Sequence, residues 1–213
     1  MNDSIKLILF DLGGVLVELA GGDRMLELTR PAMSKDELWS RWFSSSAVTE
    51  FETGRSSPDE FAVNIIDEFQ LMVSPSDLLE EIEQWVPRAW RGAADLLKEL
   101  SESFVLATLS NTNILHWNRI RDQMGIVKHF KFTFASCDTG VMKPDPAAYR
   151  NVVQATGYQP ENILFLDDFD HNVSGALAVG MQAHRVNGVE GVRKKLSDIG
   201  CLEAESKAHG AWR

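Results

Sequence analysis

The sequence is poor in cysteine and in basic residues, and each shortage excludes a class of protein. Its 213 residues include only two cysteines, Cys137 and Cys201, which are too few for a secreted scaffold held by disulfides. The 21 lysine and arginine residues face 31 acidic residues, for a formal net charge of -10. An acidic surface disfavours nucleic acid and anionic membranes, since both attract basic surfaces. We therefore expect no nucleic-acid partner and no membrane partner.

Long apolar runs and a leader segment are also missing. No stretch approaches the ~18 consecutive apolar residues that cross a bilayer. The N-terminus lacks the charged, apolar and small-residue order of a secretory leader. These features predict a soluble cytoplasmic protein that is a monomer or a homodimer. The length fits one domain, or one domain with an insertion, because single cores run to ~100 to 200 residues.

Four short runs rich in Val, Ile, Leu and Phe show no alternation of apolar and polar residues, which is typical of strands buried on both faces. They cover residues 6–10, 104–109, 130–135 and 162–166, and a weaker candidate covers 181–186. Amphipathic segments follow at 112–124, 145–156, 170–179 and 189–199. The alternation of strand and helix predicts an α/β protein with a parallel sheet.

The region from Glu18 to about Arg91 interrupts this alternation, because its patterning is helical only. Helix starts are predicted at Ser34, Ser57 and Ser74, which can cap the amides of a first turn. We therefore predict three parts, which are a core over residues 1–17 and 92–202, a helical cap over residues 18–91, and a loosely held tail over residues 203–213.

Two groups of side chains in the insertion suit either packing or ligand binding. Trp39, Trp42 and Phe43 recur on one helical face, which is more typical of packing within the insertion than of a platform for a sugar. Glu52 and Arg55 lie in a predicted loop, where a solvated charge is the default interpretation and substrate contact is the second.

Polar residues follow the main strands where each strand ends. They are Asp11, Ser110 with Asn111, Lys143 after a short connection, and the pair Asp167 and Asp168. Functional groups of an open parallel sheet gather at the carboxyl ends of its strands. We therefore expect these side chains to converge on one site.

This set of residues suits phosphoryl transfer. Asp11 can attack phosphorus and form an aspartyl-phosphate, which splits one difficult displacement into two. Lys143 offsets the repulsion between the carboxylate and an anionic substrate. Ser110 and the backbone amides near Asn111 would donate hydrogen bonds to the phosphoryl oxygens, where negative charge collects in the transition state.

The acids also predict a divalent cation, and Mg²⁺ is the natural choice because it prefers carboxylate, carbonyl and water oxygens. Asp11 and Asp168 would be direct ligands, and the carbonyl of Gly13 could complete the set. Asp167 would be either another ligand or a residue that orients bound water. Two adjacent acids after a buried strand are costly without a cation.

Four stretches, in this order, resemble the motifs of the haloacid dehalogenase-like hydrolases: FDLGGVLV, TLSNT, MKPD and FLDDFDHNVSGA. The resemblance covers residues 5–187. It implies a Rossmann-like sheet with strand order 5-4-1-2-3 and an all-helical cap inserted after the first motif. The combination of DLGGV, LSNTN and MKPD is most similar to a bacterial subgroup that contains a glucose-1-phosphate phosphatase. The implied activity is a phosphatase of a small phosphorylated metabolite, with a sugar phosphate as one candidate.

The sequence departs from the usual phosphatase pattern at Gly13, where that pattern has a second Asp that protonates the leaving group. General acid catalysis contributes about 10² to 10⁴ in rate. Three explanations stay open. The substrate has a good leaving group, a cap residue or water supplies the proton, or the chain turns over poorly.

Two other functions compete with the phosphatase. Hydrolytic dehalogenases also lack the second Asp, but carbon–halogen displacement needs no metal and would leave Asp167 and Asp168 in mutual repulsion. A regulatory module that binds phosphate and metal with little turnover is the other candidate.

Overall fold

The apolar runs of the sequence form a central parallel sheet. In the computed structural model, which describes residues 4–29 and 33–203, the strands are β1 (Leu7–Phe10), β2 (Val105–Ser110), β3 (Phe132–Ala135), β4 (Ile163–Asp167) and β5 (Gln182–Arg185). Every neighbouring pair is parallel. The order β3-β2-β1-β4-β5 is the predicted order 5-4-1-2-3 read from the opposite edge of the sheet. The predicted α/β class is confirmed.

Helices occupy the predicted insertion and the four predicted amphipathic segments, and two further helices, at Ala93–Leu100 and Ser136–Thr139, were not predicted. In chain order they are α1 (Gly22–Leu28), α2 (Lys35–Ser44), α3 (Ser46–Glu52), α4 (Pro58–Phe69), α5 (Pro75–Glu83), α6 (Ala93–Leu100), α7 (Ile114–Gln123), α8 (Ser136–Thr139), α9 (Pro146–Thr156), α10 (Asp170–Ala178) and α11 (Gly188–Asp198). Short 3₁₀ turns cover Val127–His129 and Pro160–Asn162. Within the described part of the chain, no helix combines the length and the apolar character needed to cross a membrane.

Both faces of the sheet are covered by helices, which explains why the strands show no polar alternation. On one face, Ile8 and Phe10 of β1 pack with buried side chains of α6, α7 and α11. On the other face, Leu7 and Leu9 pack with α9 and α10. Strand β1 is therefore buried along its whole length, and it holds the next residue, Asp11, in a fixed place.

Helices α1 to α5 lie between β1 and α6 and pack around an apolar core of their own. The predicted caps Ser34, Ser57 and Ser74 are confirmed, since each side chain accepts a hydrogen bond from an amide in the first turn. Trp42 is buried in this core, as predicted. Phe43 is 68% exposed and is not part of this buried core, although its ring stacks on Trp39 with the centroids 5.9 Å apart.

Two chain segments connect the helical insertion to the sheet, and they run side by side. The Glu18 amide donates to the Arg88 carbonyl (3.0 Å), and the Trp90 amide donates to the Leu16 carbonyl (2.9 Å). An antiparallel bridge joins Val17 to Ala89 between these bonds. The chain therefore leaves the sheet and returns to it at one place. Apart from Glu203, the predicted tail over residues 203–213 lies outside the described residues.

Candidate active site

Asp11 lies directly after β1, at the carboxyl edge of the sheet. Its amide donates a hydrogen bond to the Leu166 carbonyl (2.9 Å), which continues the β1–β4 pairing through the aspartate. The residue is 7% exposed. Burial raises the pKa of Asp11 to about 6, while the Lys143 ammonium opposes the rise and the Asp167 charge adds to it. The Lys143 ammonium beside it thus favours the carboxylate form that a nucleophile needs.

Lys143 joins the acids that follow β1 and β4. Its Nζ lies 2.8 Å from Asp11 Oδ1 and 2.6 Å from Asp167 Oδ2, and the residue is 4% exposed. Burial alone would lower the pKa of this lysine, but the two carboxylates together outweigh burial and raise it. Lys143 is thus a buried ammonium held beside the predicted nucleophile.

Asp167 is the fixed end of this ion-pair chain. Its Oδ1 accepts hydrogen bonds from the Phe169 amide (2.8 Å) and the Asn172 side-chain amide (3.0 Å). Its Oδ2 accepts from Lys143 and, at 3.1 Å, from the same Asn172 nitrogen. Both oxygens have protein donors, so Asp167 is suited to positioning the lysine.

Asn111 holds the backbone of Lys143 from β2. Its Oδ1 accepts from the Lys143 amide and its Nδ2 donates to the Lys143 carbonyl, both at 2.8 Å. This pair of bonds fixes the loop that carries the lysine. The predicted contact between Asn111 and substrate stays a prediction, and the structure adds a positioning contact that the sequence did not indicate.

Asp168 is the acid with unused ligand capacity. Its Oδ1 is buried and has no hydrogen-bond partner among the described residues. Burial raises the pKa of Asp168 to about 7, and the Asp11 and Asp167 charges add to the rise. Oxygens of these three acids lie within 4.8 Å of one another. Such a group of carboxylates fits a hard divalent cation, whose charge would relieve their repulsion.

The backbone after Asp11 is shaped by glycines. A Cβ at Gly14, where φ is +71°, would overlap the Asp168 carboxylate. A Cβ at Gly13 would meet Cδ2 of Leu19 at 3.3 Å. The space beside Gly13, where phosphatases of this pattern carry their second acid, is therefore bordered by an apolar side chain.

Ser110 is the last residue of β2 and is 3% exposed. It pairs with Ala135 in the sheet, which places it at the same carboxyl edge as Asp11. The structure thus brings Asp11, Lys143, Asp167 and Asp168 into one cluster, while the chemical roles assigned to them stay predictions.

Glu52 is a residue of this region for which the sequence analysis put substrate contact second. Treated above as a solvated loop charge, it is instead partly buried at the end of α3, within the electrostatic influence of Lys143. The sequence holds only a weak indication of this, which is an acid placed just before a Thr-Gly turn. The default interpretation is wrong because it ignored how the insertion packs on the sheet.

Comparison with known proteins places the chain in a family. Residues 5–180 match the haloacid dehalogenase-like hydrolases. A chloroplast flavin mononucleotide hydrolase of Arabidopsis thaliana is 30% identical over 71% of this chain, a match that spans 61% of that protein's length. A phosphatase of Mycobacterium tuberculosis is 24% identical over 93% of this chain and 97% of its own length.

A solved structure agrees with the sequence matches. A variant of a haloacid dehalogenase-like enzyme from Bacteroides thetaiotaomicron, in complex with magnesium and inorganic phosphate, superposes with a TM-score of 0.71. The two chains are 25% identical, and the match covers 86% of this chain and 94% of that one. From the family match and this shared fold, the chain belongs to the haloacid dehalogenase-like hydrolases.

Proposed function

We propose that the protein is a Mg²⁺-dependent phosphatase of a small phosphorylated metabolite, acting through an aspartyl-phosphate on Asp11. The observation that carries the proposal is the buried cluster in which Lys143 bridges Asp11 and Asp167, with Asp168 beside them. The named phosphatase and hydrolase relatives support the reaction class.

In the first step, an oxygen of Asp11 attacks phosphorus as the bond to the leaving oxygen breaks. The products are an acyl phosphate on Asp11 and an alcohol, which needs one proton. Lys143 lies 2.8 Å from the Asp11 carboxylate and balances the negative charge that gathers as the substrate approaches. We assign Ser110 and the backbone amides after β2 as hydrogen-bond donors to the phosphoryl oxygens.

In the second step, water attacks the phosphorus of the acyl phosphate, and the Asp11 carboxylate is released with inorganic phosphate. The geometry keeps Lys143 in place for both steps, because Asn111 holds its backbone and Asp167 holds its ammonium. Residues that are positioned before the reaction need no rearrangement as charge develops.

Asp11, Asp168 and the carbonyl of Gly13 would hold Mg²⁺, with Asp167 acting through Lys143. When bound, Mg²⁺ supplies positive charge that neutralises the phosphoryl oxygens. The orphaned Oδ1 of Asp168 and the raised pKa values of Asp11 and Asp168 support a cation at this place.

We assign residues 18–91 to a cap that covers the site and selects the substrate, over a core of residues 1–17 and 92–202. A T-shaped contact between Phe43 of α2 and Phe169, with ring centroids 6.4 Å apart, supports this assignment because it joins the insertion to the loop after β4. A sugar phosphate is one candidate substrate.

The proposal is tested by phosphate release from p-nitrophenyl phosphate, with and without Mg²⁺, by wild type and Asp11→Asn. We expect release that needs Mg²⁺ and that is lost in the variant, because an amide oxygen is a poor nucleophile. Asp36→Asn, at an exposed position in the first turn of α2, is the matched control and should keep full activity.

Two other outcomes would contradict the phosphatase. Release of halide from a 2-haloacid without added metal would indicate a hydrolytic dehalogenase. No phosphate release from a broad panel of phosphate esters would favour a regulatory module that binds phosphate and metal.

A further inference from the structure

The proposed reaction needs a proton donor that the motif after β1 does not provide. Cleavage of an alkyl phosphate ester expels an alkoxide unless an acid protonates the leaving oxygen. The second residue after Asp11 is Gly13, and Leu19 borders the space beside it. The donor therefore has to come from another element.

Glu52, at the end of α3 in the helical insertion, is bonded through its backbone to the sheet layer. The Ser136 hydroxyl accepts from the Thr112 amide (2.9 Å) and donates to the Glu52 carbonyl (2.6 Å). Thr112 lies two residues after Ser110, which is the last residue of β2. The end of α3 is thereby tied to the carboxyl edge of the sheet.

The contact between the end of α3 and the sheet layer is fixed a second time, by a close approach of the backbone at Gly54 to α8. Gly54 has a φ of +68°, and a Cβ there would overlap the carbonyl oxygen of Cys137 in α8. Only glycine allows the turn after Glu52 to lie this close to α8. The backbone is therefore anchored at the Glu52 carbonyl and again two residues later, at Gly54.

The Glu52 carboxyl group lies within the electrostatic influence of the Lys143 ammonium but forms no ion pair with it among the described residues. Among the described residues, no side chain or amide donates a hydrogen bond to the carboxyl, and no ion pair includes it. The charge that acts on it is the Lys143 ammonium, which itself lies 2.8 Å from the Asp11 carboxylate. Its donor and acceptor capacity is thus free for a substrate.

The environment also suits proton transfer at neutral pH. Burial raises the pKa of Glu52 to about 7, while Lys143 opposes the rise. An acid whose pKa lies near the working pH can both give and recover a proton.

We propose that Glu52 is the general acid and base of the reaction, supplied by the insertion in place of an acid at Gly13. In the first step, the Glu52 proton passes to the leaving oxygen as the oxygen–phosphorus bond breaks and the Asp11–phosphorus bond forms. In the second step, the Glu52 carboxylate takes a proton from water as water attacks phosphorus. Asp11 is released, and Glu52 is protonated again. This inference rests on the proposed function.

The test compares two substrates that differ in their need for a proton. With Mg²⁺ present, kcat/KM is measured for p-nitrophenyl phosphate and for glycerol 2-phosphate in wild type, Glu52→Gln and Glu52→Asp. For Glu52→Gln, we expect a loss of about 10² to 10⁴ on the alkyl ester. The loss on the nitrophenyl ester should be less than about tenfold, because nitrophenolate leaves without a proton. Glu52→Asp should recover part of the alkyl activity.

Three further measurements separate catalysis from structure. Glu50→Gln, at an exposed position two residues earlier in α3, is the matched control and should behave as wild type. Mg²⁺ binding by calorimetry should be unchanged in Glu52→Gln, and its thermal midpoint should not fall, because burial disfavours the ionised Glu52 carboxyl. Adding Gly13→Asp to Glu52→Gln should restore alkyl ester cleavage, since Leu19 can move aside by its flexible end.

The outcomes distinguish this inference from the proposed function. Equal losses on both substrates, or no loss on either, would overturn the role of Glu52 while leaving the phosphatase intact. If wild type cleaves neither substrate, the proposed phosphatase function is wrong, and the proposed role of Glu52 is wrong with it.

Discussion

At the scale of single residues, the site depends on a lysine that is almost removed from solvent. A buried ammonium is stable only when acids and hydrogen bonds replace its hydration. Lys143 meets this need with Asp11 and Asp167, and Asn111 fixes its backbone. Removing one partner of such a group leaves an uncompensated charge, so the cluster should respond strongly to small changes.

Asn111→Ala removes both hydrogen bonds to the Lys143 backbone. We expect stability to fall by about 1 to 3 kcal/mol, since each bond contributes about 0.5 to 1.5 kcal/mol. We also expect kcat/KM to fall by about 10- to 100-fold, because the lysine loses its alignment. Urea unfolding and phosphate release measure the two effects. Asn118→Ala in α7 is the control, because among the described residues its side chain accepts only from the exposed Arg121. An equal loss in both variants would contradict the positioning role.

The sequence was sufficient to identify the cluster but not the contacts within it. Asp11, Lys143 and the pair Asp167 and Asp168 follow strand ends, and strand ends converge for topological reasons. The amide of Asn111 could equally have faced substrate, because its partner lies 32 positions away in the chain. Contacts of that range depend on loop geometry, which the residue pattern does not encode locally.

At the scale of elements, α7 of the sheet layer meets α5 of the insertion through a histidine. His116 Nε2 lies 2.6 Å from the Ile82 carbonyl, and the Asn113 side-chain nitrogen lies 3.1 Å from His116 Nδ1. Since a carbonyl can only accept, Nε2 carries the proton and Nδ1 accepts, which is the neutral ring. Burial lowers the pKa of His116 to about 4, and the Arg119 charge adds to the effect.

This histidine predicts a loss of stability in acid. Between its ordinary pKa of 6.5 and about 4, the unfolded chain binds a proton that the folded chain does not. Stability from this group is therefore complete above pH 6.5 and falls as pH drops toward 4, by at most about 3 kcal/mol. Urea midpoints across this range should fall less steeply for His116→Gln than for wild type. His171→Gln, at an exposed position in α10, should follow wild type, and identical slopes in all three proteins would contradict this account.

The contact between α3 and α8 gives a second prediction at this scale. Gly54→Ala should push the end of α3 away from α8, and kcat/KM on an alkyl phosphate should fall at least tenfold as Glu52 is displaced. Gly157→Ala is the matched control, because Gly157 has a similar φ of +74° but no described atom lies within 4 Å of its added Cβ. Both variants should lose about 1 to 2 kcal/mol from the left-handed backbone. If both also lose activity equally, the close approach to α8 is not the cause.

At the scale of the whole molecule, the fold places three acids at the carboxyl edge of an open parallel sheet. Oxygens of Asp11, Asp167 and Asp168 lie within 4.8 Å of one another, with Lys143 as a cation among them. Their repulsion is relieved when a divalent cation binds, so metal binding should stabilise the folded chain.

Mg²⁺ should therefore raise the thermal midpoint of wild type, by the equivalent of about 2.7 kcal/mol at a concentration 100 times Kd. Asp168→Asn should lose this shift and, without Mg²⁺, should be at least as stable as wild type, because it removes one of the repelling charges. Asp170→Asn, whose carboxyl pairs with Arg185 at the surface, should keep the shift. An undiminished shift in Asp168→Asn would remove that residue from the cation site.

Much of the fold was predictable because buried parallel strands and capped helices leave local patterns. The strand runs and the starts at Ser34, Ser57 and Ser74 are of this kind. The positions of Phe43 and Glu52 were not predictable, because they depend on how the insertion lies against the sheet. That arrangement results from contacts between distant segments, such as Ser136 with Glu52, which are 84 positions apart.

The paired connectors between the sheet and the insertion have an evolutionary consequence. Since the Glu18 amide bonds to the returning segment and the Trp90 amide bonds to the outgoing segment, the two covalent connections of the helical insertion lie at one place on the sheet. The helices of a relative can be transplanted there while the nucleophile and its lysine keep their places. If the proton donor belongs to these helices, a recombination that exchanges them would exchange substrate choice and acid catalysis together.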